Sequence, residues 1–107
     1  MATEALLVVS TFPDAETARR IANELVTTKL AACANIFPAV ESIYRWQGKT
    51  EKGAEVMTFF KLPEARFAEF QAKLKELHPY ELPEIVALPI GKGLPDYLNW
   101  VAESCAS

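Results

Sequence analysis

Four glycines, two cysteines and one histidine are all that 107 residues hold of the types most used in phosphate cradles, metal clusters and acid–base pairs. The glycines stand at 48, 53, 91 and 93 and form neither a GxGxxG nor a Walker loop, so no dinucleotide or P-loop signature is present. Cys33 and Cys105 are too few for a disulfide framework or a zinc cluster. A serine nucleophile would need a base and an orienting carboxylate, but His78 lies against Pro79 and Pro83 with no nucleophile elbow nearby. An acylphosphatase-like cradle would need an arginine where Thr11-Phe12-Pro13-Asp14 offers an acid. The expectation is a protein that is not an enzyme.

A basic surplus is also missing. Eleven Lys and Arg face fourteen Asp and Glu, a net charge of −3, and the cations are scattered, so no stripe is available to neutralise nucleic-acid phosphates. The longest apolar run near the start, Ala5 to Val9, is far below the roughly 20 residues that span a bilayer. The opening residues show no basic segment leading into a long apolar run with a cleavage site, and the expected compartment is the reducing cytoplasm.

Half of the residues are apolar, enough for one modest core, so residues 1–107 are expected to form one domain. Ala5 to Thr11 reads as a strand buried on both faces and closed by Phe12-Pro13-Asp14. Asp14 suits an N-cap, and Ala18, Ile21, Ala22, Leu25 and Val26 recur at helical spacing, predicting a helix to about Lys29. Cys33 to Trp46 reads as a long second strand, with an edge position or a bulge expected at Pro38. Gln47 to Thr50 supplies the turn, and Glu55 to Leu62 the returning strand with Val56, Thr58, Phe60 and Leu62 on one face. Pro63 suits the first position of a second helix carrying Phe67, Phe70, Leu74 and Leu77, which ends at His78-Pro79. Ile85 to Ile90 is the last strand, and Pro95 opens a terminal helix with Leu94, Leu98 and Val101 on one face.

Strand, helix, strand, strand, helix, strand is the split βαβ order, an α+β ferredoxin-like sandwich with both helices on one face of an antiparallel sheet. The 14 residues of strand two would span roughly 45 Å at ~3.3 Å each. A compact chain of this size has a radius of gyration of only about 13 Å. The hairpin carrying Tyr44 and Trp46 must then project beyond the sandwich. Its aromatics and edges are expected to be covered by other copies, with Tyr44 and Trp46 as subunit-contact residues.

Four ordered segments, Lys29 to Ile36, Ser42 to Lys49, His78 to Ile85 and Tyr97 to Val101, resemble the CutA divalent-cation tolerance family along about Leu6 to Val101. The resemblance implies a homotrimer of ferredoxin-like subunits knitted by the long hairpin, and a link to tolerance of copper and other divalent cations. It also implies likeness to PII-type signalling trimers, which bind small effectors between subunits. Two alternatives follow: a PII-like effector sensor, or a structural assembly whose effect on metal tolerance is indirect.

Strand one and helix two point the same way, which gathers Ser10, Thr11 and Asp14 at the same end of the sheet as His78, Tyr80 and Glu84. Ser10 and Tyr80 are expected in a ligand cleft there. His78 has two readings: it bonds the last carbonyls of helix two, or with Glu84 it ligates Cu(II) or another divalent cation, completed by a neighbouring copy. In some family members a cysteine stands where Ser10 does. A hydroxyl does not select Cu(I), so the cation expected is held weakly. Cys33 is expected to be a buried apolar residue and Cys105 an exposed thiol near a fraying end.

Overall fold

The computed structural model describes residues 4–106. The elements are β1 (Ala5–Phe12), α1 (Ala15–Thr27), β2 (Cys33–Trp46), β3 (Lys49–Pro63), a 3-10 turn (Glu64–Arg66), α2 (Phe67–Leu77), β4 (Val86–Ile90) and α3 (Pro95–Ser104). The strands form one antiparallel sheet in the order β2-β3-β1-β4, the ferredoxin-like arrangement. Alternation decides its two faces. Val8, Phe12, Val56, Phe60 and Leu62 point to one side and are buried with Ile21 and Leu25 of α1 and Phe70 and Leu74 of α2. Phe60 and Phe70 meet edge to face at 5.1 Å, joining sheet to helix at the centre of that core.

Both helix ends follow from local chemistry. Asp14 in extended conformation accepts the Thr17 N–H at 2.7 Å, and that bond holds its carboxyl below the ordinary carboxylate range. Replacing Asp14 with Ala is expected to lower the urea midpoint at neutral pH, since the Thr17 N–H loses its cap. The helix stops at Thr27, two residues short of the expected end, because Lys29 turns left-handed at φ 65. Leu30 N–H then bonds Leu25 O at 2.9 Å and Lys29 N–H bonds Val26 O at 3.0 Å, a Schellman closure.

Three further differences from expectation have physical causes. Pro63 ends β3 in extended conformation, one turn of 3-10 helix ahead of α2, so it precedes the helical segment and does not occupy its first position. Cys105 is buried, since α3 packs its end onto the core and Arg66 Nε donates to the Cys105 carbonyl at 2.8 Å. Cys33 is only half-buried, on the face away from α1 and α2, with its Sγ 3.6 Å from the Tyr97 hydroxyl.

That second face of the sheet has little over it. Val86, Val9 and Phe59 form one cross-strand row and Leu88, Leu7 and Lys61 the next, with Met57 and Phe37 beyond. In the isolated chain Val86 and Leu88 are each 49% exposed and Phe37 39%, while Leu7, Val9, Met57 and Phe59 are half-buried. The molecule measures 47 × 25 × 23 Å, the long dimension reflecting a β2–β3 ribbon that outruns the other two strands.

Candidate functional site

The ribbon is built by a two-residue turn. Gln47 and Gly48 both have positive φ, 50 and 79, the signature of a type I′ turn, whose twist matches that of its strands. Nearer the sandwich the pairing slips by one residue between Phe37 and Val40, the position of Pro38. A proline cannot donate to the ladder, and here it sits both at a bulge and on the sheet edge. Beyond the slip, Tyr44 and Trp46 project from the ribbon, exposed.

The segment that follows α2 faces this ribbon, and His78 anchors it. The ring lies flat on Phe12, with centroids 4.7 Å apart and planes 15° from parallel, and is 7% exposed. Nε2–H donates to the Thr11 carbonyl at 2.8 Å, and Nδ1 accepts the Tyr80 N–H at 3.1 Å. These two bonds define a neutral imidazole with its proton on Nε2. Burial lowers its proton affinity, opposed by the Thr11 bond and by the charge of Glu55.

Tyr80 carries the restraint outward. Its hydroxyl donates to Glu55 on β3 at 2.7 Å, tying the segment to the base of the ribbon. Burial, then the bond to Glu55, pushes the phenol well above its usual range, so it stays a donor at any physiological pH. Between segment and ribbon opens a cleft of about 660 Å³. Tyr44, Trp46 and Tyr80 line it with rings; Glu55, Glu81 and Glu84 line it with carboxylates; among the described residues Arg45 is the one cation in its lining.

The residues expected to meet at this end are thus divided. Tyr80 and Glu84 line the cleft with Tyr44 and Trp46. Ser10 does not, because it shares a sheet face with Val8 and Phe12 and is fully buried under the helices. Its hydroxyl and that of Thr58 directly opposite have no hydrogen-bond partner among the described residues. His78 stands behind the cleft wall and does not line it. In this chain both of its nitrogens are engaged by backbone groups, Nε2 through its proton and Nδ1 through its lone pair, so ligation of a cation by His78 would first have to break one of these bonds. Among the described residues no group of three or more His, Cys, Asp and Glu converges to hold a metal ion. The donors present therefore do not fit a metal centre within one chain. Glu55 is the residue that sequence reasoning missed; its one signal is a carboxylate placed directly before the run Val56 to Phe60.

The comparisons agree with one another. The profile of the family described as CutA1 divalent ion tolerance protein matches residues 6–104. The divalent-cation tolerance protein CutA of Thermus thermophilus is 46% identical over 98 residues, covering 92% of this chain and 95% of its own. Among solved structures, CutA1 from Oryza sativa superposes with a TM-score of 0.94 at 36% identity, covering 98% of this chain and 96% of that one. A structure described as the periplasmic divalent cation tolerance protein CutA from Archaeoglobus fulgidus gives 0.92 at 38% identity, covering 95% and 99%.

Proposed function

The chain belongs to the CutA1 divalent ion tolerance protein family, and from that premise we propose a homotrimeric, non-catalytic binding protein whose working site is the cleft between the ribbon and residues 79–84. Copper or another divalent cation is then met by the assembly and its ligand, not by chelation at His78. The observation that carries this is the uncovered apolar face of the sheet, continued on the ribbon by Tyr44 and Trp46. An apolar face of this kind beside two edges, β2 and β4, that no other strand among the described residues covers calls for further copies of the chain. Unlike edges meeting head to tail close a ring, the geometry a trimer needs.

The mass in solution tests it. Light scattering is expected to give about three times the 11.9 kDa chain mass, and Trp46→Glu to weaken the complex. A chain that stays monomeric across the micromolar range would sink the proposal. Two unpaired cysteines support work in a reducing cytoplasm, although the Archaeoglobus relative is described as periplasmic. No helix among the described residues is long and apolar enough to cross a membrane.

A further inference from the structure

Away from the cleft, inside the subunit core, we infer that the hydroxyls of Ser10 on β1 and Thr58 on β3 form a binding site for one internal water molecule. The two residues are direct cross-strand partners, and both are 0% exposed. Neither hydroxyl has a hydrogen-bond partner among the described residues, the other hydroxyl included. A buried hydroxyl without a partner forfeits the bonds it makes in water, so native interiors seldom leave one, and two side by side call for a shared partner.

The chain has little of its own to offer them. Alternation aims both hydroxyls at the side of the sheet covered by α1 and α2, among Val8, Phe12, Val56 and Phe60. The other buried polar side chains among the described residues are Thr11 and His78. Thr11, next along β1, points to the opposite face, and both nitrogens of His78 are engaged by backbone groups. No Asp, Glu, Lys or Arg among the described residues is buried, so the site suits a neutral ligand. Spacing fits a single oxygen. Directly opposed residues hold their Cβ atoms about 4.5–5.5 Å apart. One water making two bonds of about 2.8 Å at a near-tetrahedral angle joins oxygens about 4.5 Å apart. Such a water donates to one hydroxyl and accepts from the other, and two partners are enough to hold a buried water. The stripe of α1 that covers this face leaves room, since two of its buried residues are the short Ala18 and Ala22 beside Ile21 and Leu25.

A double-mutant cycle and a crystal structure test this together, with Ser10→Ala, Thr58→Val and the pair melted in urea at one fixed protein concentration. Where a water is shared, either single change strips it of a partner and strands the remaining hydroxyl, so each should raise the unfolding constant about three- to tenfold. The pair leaves neither hydroxyl to be satisfied, and its effect should be clearly smaller than the product of the two. In a high-resolution map of the wild type one oxygen should lie about 2.8 Å from both hydroxyls, and it should be missing from Thr58→Val. Midpoints that hold or rise on single substitution, with effects that simply multiply, would reveal two orphaned hydroxyls and overturn the inference. Coupling without that density would mean that the hydroxyls turn to bond each other, which overturns it as well. If either variant fails to fold, the wild-type density decides alone.

Discussion

Val86→Glu is expected to turn the assembly into folded single chains, reducing the mass seen by light scattering about threefold while the circular dichroism of the subunit stays as it was. Val86 begins β4 and is 49% exposed in the isolated chain, so a carboxylate there is solvated and costs the subunit fold little. In an assembly formed through this face the same carboxylate is buried beside Val9 and Phe59, a row with no cation in it. Each copy contributes one such uncompensated charge, at several kcal/mol apiece, more than a subunit interface can absorb. A variant that retains the full mass would show that the copies meet elsewhere, and a variant that unfolds would show that Val86 supports the subunit itself. Thr50→Glu, on the ribbon and outside that row, is the charge-matched control and should leave the mass unchanged.

Much of this fold is written in period and punctuation. β2 runs from Cys33 to Trp46 as its β-branched and aromatic content predicts, and Pro38 marks the bulge because proline lacks the N–H that the ladder needs. β3 is longer than its sequence suggests. Lys49 to Ala54 is charged and poor in strand formers, and only pairing against β2 holds it extended. The inward place of Ser10 is legible in the sequence. Sorting residues by end of the sheet ignores that every second residue changes face, and alternation from Val8 and Phe12 puts Ser10 inside. The commitment of His78 was not legible, since its partner carbonyl at Thr11 lies 67 residues away and a carbonyl leaves no mark on a sequence. Glu55 was hidden for a similar reason: its bond to Tyr80 spans 25 residues and depends on where α2 stops.

His78→Ala is expected to cost about 3 kcal/mol, read from denaturant melts near pH 7.5. The ring stacks on Phe12 and meets Tyr80 at a tilt, and its loss leaves a cavity together with an unpaired Thr11 carbonyl and Tyr80 N–H. His78→Phe keeps the stack and loses both bonds, so it should fall between the two. pH gives an independent sign. Because the folded ring holds its proton less readily than a free histidine of pKa 6.5, the unfolded chain binds more protons as pH falls below that value. This contribution is fully present above about pH 6.5 and is lost progressively as pH falls through the lower folded value. Between pH 7.5 and 5.5 the wild type should therefore lose more stability than His78→Phe, whose ring does not titrate. Protonation also forces Nδ1 to donate toward the Tyr80 N–H, which loosens the segment that Tyr80 ties to Glu55 and with it one wall of the cleft. Under the metal-ligand alternative the order reverses: His78→Ala would fold as stably as the wild type and lose affinity for Cu(II). Identical Cu(II) isotherms with a large drop in stability are the outcome that the bonded ring requires.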